Sequence, residues 1–265
     1  MEKRTFFNGF DETELAEQGI IDPLDTIAPV EGFPEISIGA FSRDIVAEYA
    51  EKYDAVEIAA FSTASVRQPI YKLTVGGTEI ALHAPFVGAP NAAASIEEVR
   101  AMGGKYFVFF GMCGVLRHDI ADGHVIVPDC AVRDEGLSYH YLPPAHEIEL
   151  DRESVKITED VMTALQIPFV TGKVWTTDAF YRETPGKIMR HRQEGCICVD
   201  MECSALAAIA RFRQVPFAEF FFAADSLGGP EWERRGLADR GRSRSELYMR
   251  AAIAIGRAMK EKAGR

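Results

Sequence analysis

The chain is short of several things, and each shortage removes a class of function. Its 265 residues hold 29 lysines and arginines against 40 aspartates and glutamates, a formal net charge of −11. That balance argues against nucleic acid or an anionic membrane as the main partner, although a small anion can still sit in a locally positive pocket. Five cysteines, at 113, 130, 196, 198 and 203, form no CxxC pair and no zinc-spaced cluster with histidine, so no metal site is expected. An odd number of thiols in or beside apolar strands reads as reduced and buried. The stretch MEKRTFFNGFDETELAEQG has no apolar core of signal-peptide length. The longest apolar run, FAEFFFAA, is too short to span a bilayer and contains Glu219. A soluble, cytoplasmic protein is expected. No GxGxxG follows the first strand pattern, no GxSxG occurs, and no paired His or Asp has ligand spacing. Nicotinamide oxidoreductases, serine hydrolases and metal hydrolases are disfavoured accordingly.

What is present is a core. Hydrophobic residues make up 47% and charged residues 26%, and the length fits one large α/β domain over residues 1–265, with 1–35 an amino-terminal extension. Strand patterns occur at ISIGAF, AVEIAAFS, PIYKLTV, EIALHAPF, KYFVFFG, HVIVPDCAV, FVTGKVWTT, CICVD and PFAEFFFAAD, with a hairpin turn at Gly76-Gly77. Helix patterns occur at SRDIVAEYAEKY, capped by Ser42, at NAAASIEEVRAMGG, at RESVKITEDVMTALQ, at ECSALAAIARFR and from about Arg244 to Lys262. Strands alternating with helices predict a mixed, largely parallel twisted sheet flanked by helices, a three-layer α/β/α arrangement. Ligands in such folds bind beyond the carboxyl ends of the strands.

Four strand ends carry chemistry, and a fifth closes on an acid. In IGAFSRD, Gly39, exposed amides and Arg43 in a first helical turn can hold an anion, or form an ordinary helix entry. In FFGMCGVL, two glycines bracket Met112 and Cys113, and a turn there lets backbone approach a ligand or merely packs. In WTTDAFYRETPG, Phe180 and Tyr181 can stack on a flat heterocycle or cover the core. The fourth, CVDMEC, sets Asp200 and Glu202 around Met201. Either the acids cap the following helix, or Glu202 accepts hydrogen bonds from a sugar diol while Met201 packs on the sugar ring. Asp225 closes the strand of FFFAADSLGG, where partial burial would raise its pKa and suit it to donate a proton; the alternative is a second helix cap.

Together these stretches resemble the nucleoside phosphorylase/nucleosidase superfamily, which includes uridine phosphorylase, hexameric purine nucleoside phosphorylase, methylthioadenosine nucleosidase and AMP nucleosidase. CVDMECSALAAIA looks like its (Glu/Asp)-Met-Glu signature, and GMCGVLRHDIADGHVIVP, RDEGLSYHYLPP and TTDAFYRET resemble further segments. The resemblance runs from about Ile36 into the last helix. It implies cleavage of a ribosidic C–N bond without a cofactor, inorganic phosphate being a co-substrate. It places Glu202, Met201 and Asp200 on the ribose, Phe180 and the stretch Met112, Cys113, Gly114 on the base or sugar, and Gly39, Arg43 and Arg67 on phosphate. Arg67 would come from a neighbouring subunit of a homo-oligomer, a dimer or a trimer of dimers. Asp225 matches the aspartate that protonates the leaving base in purine-cleaving members. The loop YRETPGK lacks the glutamine with which uridine phosphorylases read a pyrimidine, so the resemblance leans to purines.

One departure stands out. Phosphorylases of this family bind phosphate with an arginine where this chain has Phe109, and with a serine or threonine where it has Met112. Losing both removes a bidentate donor and a hydroxyl, and GMCG looks like the corresponding stretch of AMP-nucleosidase-type members. The sequence-based expectation is a purine nucleoside phosphorylase, with a phosphate-independent nucleosidase as the alternative and a non-catalytic nucleoside binder behind it.

Overall fold

The computed structural model describes residues 15, 17–229 and 231–264; residues 1–14 and 16 of the expected amino-terminal extension lie outside the described residues. Ten strands form one sheet. In chain order they are β1 (Ile36–Ala40), β2 (Val56–Ser62), β3 (Arg67–Val75), β4 (Thr78–His83), β5 (Tyr106–Val115), β6 (Val125–Asp134), β7 (Glu147–Glu149), β8 (Phe169–Thr177), β9 (Cys196–Asp200) and β10 (Phe217–Ser226). Six helices lie between or after them: α1 (Arg43–Lys52), α2 (Ala89–Met102), α3 (Arg152–Ala164), α4 (Pro185–Gln193), α5 (Cys203–Arg213) and α6 (Ser245–Ala263). Among the described residues no helix is long and apolar enough to cross a membrane.

The sheet is mixed and largely parallel, in the order β10-β6-β8-β9-β5-β1-β4-β3-β2, with β7 beside β6 and β10 also pairing β5. Five strands therefore close into a ring, and β1, β4, β3 and β2 extend it as a flap. The β3–β4 hairpin turns through Gly76 and Gly77, both at positive φ (54° and 78°), as a tight two-residue turn demands. Along β5 the side chains alternate between two cores. Phe107, Phe109, Cys113 and Val115 pack with α2 and α5, whereas Val108 and Phe110 pack with α1, α3 and α6. Every residue of this strand but Tyr106 and Met112 is buried. Both faces of the central sheet are covered, so its strands read as near-continuous apolar runs.

Strand β5 also corrects the sequence reading at one point. The glycine-bracketed stretch GMCG is extended strand, because β10 accompanies β5 along its whole second half, with Gly111, Met112 and Cys113 opposite Phe221, Phe222 and Ala223. Its other edge changes partner. Tyr106–Phe110 pair with β1, and Gly114 and Val115 pair with β9. Between these pairings the sheet is split at Gly111, Met112 and Cys113.

A single cross-strand row crosses the sheet just before the split. His83 and Phe109 each lie opposite Gly39, and Phe109 lies opposite Glu219. Phe109 fills the space that Gly39 leaves, since a Cβ on Gly39 would come within 2.5 Å of its ring. His83 and Phe217 flank that ring at 5.9 Å between centroids, and Phe41 does so at 6.1 Å. Burial drives the His83 pKa down to about 3, so the imidazole is neutral; its Nε2 meets Ser37 Oγ at 3.0 Å and its Nδ1 has no partner.

Glu219 is the costliest member of the row. It is 2% exposed, neither carboxyl oxygen has a hydrogen-bond partner, and only the weakly donating Cys203 thiol lies alongside. Burial holds its pKa well above the ordinary value of 4.5, so the folded chain keeps a proton that the unfolded chain gives up. Its contribution is therefore most favourable below about pH 4.5 and is lost as pH rises toward the folded value. Glu219→Met removes both the orphaned oxygens and this pH dependence. Urea unfolding at pH 7.5 should show a gain of about 1–3 kcal/mol, in the range of an unsatisfied buried polar group, shrinking toward pH 5. A loss of stability at both pH values would show that the carboxyl has a partner after all.

Candidate active site

A cavity of about 640 Å³ opens at the split in the sheet. Gly111, Met112, Cys113 and Gly114 of β5 form its floor, and Val199 and Asp200 of β9, Met201 and Glu202 form one side. Phe180, Tyr181 and Glu183, from the loop after β8, stand at the rim with Trp232 and Leu237 from the segment after β10. The glycines matter because neighbours press on them. A Cβ at Gly111 would meet Phe41 Cβ at 2.9 Å, and one at Gly114 would meet Leu227 Cδ1 at 2.7 Å and Asp225 Oδ1 at 3.2 Å.

The two acids around Met201 have separated tasks. Asp200 takes the cap: its Oδ2 accepts from the Glu202 and Cys203 amides at 2.8 and 2.6 Å, and its Oδ1 accepts from the Thr176 hydroxyl at 2.7 Å. With three donors on its two oxygens, Asp200 anchors the start of α5. Glu202 caps nothing. Its Oε1 accepts from the Gly88 amide at 2.6 Å, and Gly88 enters α2 at φ 99°, which only glycine adopts easily. Burial first, and then the neighbouring Asp200, push the Glu202 carboxyl up to about 8. Asp200 is raised as well, but its donors favour the ionised form.

Asp225 ends β10 half-buried. Its Oδ2 accepts from Trp232 Nε1 at 2.7 Å, and Oδ1 is the oxygen beside Gly114. Burial raises its pKa above the ordinary 3.8, opposed by the Trp232 hydrogen bond and by Arg235. Glu183 faces the same end of the cavity. Burial and then the charge of Asp225 raise it to about 7, with Lys187 opposing.

Of the residues singled out in the sequence, Met112, Cys113, Gly114, Phe180, Asp200, Met201, Glu202 and Asp225 all line this one cavity. Gly39, Arg43 and Arg67 do not. Gly39 lies under the Phe109 ring, Arg43 is exposed in the first turn of α1, and Arg67 is exposed on β3, where it pairs with Glu57. No lysine, arginine or histidine lines the cavity among the described residues. Sequence reasoning missed Glu183 and Trp232. The available signal was a tryptophan in the otherwise polar, turn-rich stretch GGPEWERRG.

The separation of tasks is testable by stability. Asp200→Ala should cost about 2–4 kcal/mol in urea unfolding, a lost cap together with a Thr176 hydroxyl that keeps its bond from the Ser204 amide but loses the acceptor for its own hydrogen. Glu202→Gln should leave stability equal or higher, since the amide oxygen still accepts from Gly88. Equal losses in both variants would make Glu202 a structural residue too.

A profile of the phosphorylase superfamily matches residues 36–255. Guanosine phosphorylase of Halorubrum lacusprofundi is 27% identical over 146 residues, 54% of this chain and 59% of that protein, so the chain spans little more than half the length of that relative. Among solved structures, purine nucleoside phosphorylase of Toxoplasma gondii, in complex with immucillin-H, superposes with a TM-score of 0.75 at 19% identity, covering 92% of this chain and 99% of that one. AMP nucleosidase of Bacteroides thetaiotaomicron gives 0.72 at 18% identity, covering 88% and 91%. The fold is thus shared between an enzyme named for phosphorolysis and one named for nucleotide cleavage. By the span of its matching profile, the chain belongs to the phosphorylase superfamily.

Proposed function

We propose that this chain cleaves the ribosidic C–N bond of a purine nucleoside and passes the sugar to water. The observation that carries the reading is the charge of the cavity: four carboxyls, Glu183, Asp200, Glu202 and Asp225, and no cationic side chain among the described residues. A phosphate dianion entering such a site would be desolvated among acids with no cation in the lining to pair it, Lys187 and Arg235 standing outside that lining. The position at which family phosphorylases carry an arginine is filled by Phe109, wholly buried among aromatic rings. Water needs no such counter-ion.

The remaining roles follow from the chemistry. Departure of the base leaves an electron-poor, oxocarbenium-like sugar and an electron-rich purine. Asp225 supplies the proton to the purine, and its Trp232 contact fixes which oxygen carries it. The free oxygen of Glu202 accepts from a sugar hydroxyl, Met201 packs on the ring, and Phe180 covers the base at the rim. Phosphorolysis is the second reading. It is favoured by the guanosine phosphorylase relative and by the exposure of Arg67, through which a second copy of the chain would lend a cation to the site.

The test is release of free base from adenosine, inosine, guanosine, uridine and AMP, with and without inorganic phosphate. Equal rates are expected, with free ribose as the sugar product from the nucleosides and ribose 5-phosphate from any AMP cleaved. A strict phosphate requirement, with ribose 1-phosphate formed, would overturn the hydrolytic reading in favour of the second. Asp225→Asn should slow base release by about 10²–10⁴-fold, and a rate within a few-fold of the parent would remove Asp225 from the acid role. Because the acid must be protonated and its pKa is raised, the rate should fall as pH rises through that raised value, above the ordinary carboxylate range.

A further inference from the structure

Glu183 is placed in the cavity without a partner. It follows the single turn Phe180–Arg182, its side chain is half-buried, and its carboxyl makes no hydrogen bond among the described residues. The donors around it are committed elsewhere or exposed. Lys187, whose charge reaches Glu183, donates to Asp134 at 3.2 Å, the Trp232 N–H is spent on Asp225, and the Tyr181 hydroxyl belongs to a side chain that is 88% exposed. Apart from a carboxyl proton, the base end of the cavity offers acceptors, so the ligand must bring the donors.

We propose that Glu183 selects the base, accepting a hydrogen bond from the exocyclic amino group at C6 of an aminopurine while Asp225 faces N7. The two atoms are neighbours on one edge of a purine, one a donor and the other an acceptor, and the two carboxyls are neighbours at one end of the cavity. The role of Asp225 rests on the cleavage reading above; the base contact at Glu183 does not.

The charge of Asp225 disfavours a second charge on Glu183, so a proton on either acid makes it easier for the other to ionise. In the empty site burial and the Asp225 charge favour a proton on Glu183. An amino hydrogen donated to Glu183 stabilises that carboxylate, and the proton is left to Asp225, next to the nitrogen that must receive it. A C6 carbonyl does the reverse. It needs a donor, keeps the proton on Glu183, and leaves Asp225 ionised beside N7. A 6-oxopurine is therefore held but poorly protonated, and its penalty falls on kcat more than on KM.

The experiment compares kcat and KM for adenosine, inosine and guanosine in the parent, Glu183→Gln and Glu183→Ala, with calorimetric binding of adenine and hypoxanthine to each. The parent should favour adenosine over inosine in kcat/KM by about 10- to 100-fold, the worth of one hydrogen bond to a charged group. Glu183→Ala should erase that ratio by slowing adenosine and leaving inosine within a few-fold. Glu183→Gln, whose amide both accepts and donates, should keep much of the adenosine rate and improve inosine. Equal losses on both substrates, or a parent that prefers inosine or guanosine, would overturn the proposal. If the parent cleaves no nucleoside, the cleavage reading fails alone: adenine binding tighter than hypoxanthine, levelled in Glu183→Ala, would still support the contact, and equal binding of the two would refute it.

Discussion

A β-strand has two edges, and each backbone group on an edge can serve one neighbour. Strand β5 gives one edge wholly to β10 and divides the other between β1 and β9. The changeover leaves Gly111, Met112 and Cys113 without a neighbour on that side, in the middle of an otherwise buried strand. The cavity lies there because two strands arriving from different parts of the chain cannot both pair with the same three residues. The ring of five strands keeps the split from closing, and helix α5, anchored through Asp200, holds Met201 and Glu202 at its side.

The acids of the centre show how far environment divides one functional group. Asp200 spends both oxygens on the backbone and a hydroxyl, and holds α5 at the strand end. Glu202, two residues on, spends one oxygen on Gly88 and keeps the other. Asp225 gives one oxygen to a tryptophan, and Glu183 gives none. Glu219, behind the floor, has no hydrogen-bond partner among the described residues, and burial holds its pKa well above the ordinary value. Burial raises all five carboxyls, and the supply of donors distinguishes them.

Much of this was legible in the chain. CICVD and FVTGKVWTT are the observed β9 and β8 residue for residue, because apolar runs bounded by polar turns leave little choice of boundary. The helix patterns at 42–53 and 91–104 carry the expected Ser42 and Gly103 caps, although the second helix begins two residues earlier, at Ala89. Three features were not legible. Helix α4 reads PGKIMRHRQ, mostly polar, and buries little beyond His191, so it carries no apolar stripe. GMCG was expected as a turn, since its two glycines look like punctuation; long-range pairing with β10 keeps it extended. Glu183 and Trp232 gain meaning only from their nearness to Asp225, and neither has a sequence pattern that points there. Arg43 and Arg67 show the converse, residue types suited to an anion on positions that the fold turns outward.

The row His83, Gly39, Phe109, Glu219 has a historical consequence. Phe109 stands against a glycine with room for nothing else, between a histidine that burial keeps uncharged and a carboxyl whose pKa burial raises. A guanidinium placed at 109 would have to be buried among three aromatic neighbours, and its one carboxyl neighbour, Glu219, would have to give up the proton that burial favours. Regaining an anion site in this wall would require several coordinated substitutions, the first of them destabilising. Whichever direction the lineage took to reach phenylalanine here, the packed row works as a ratchet against the return.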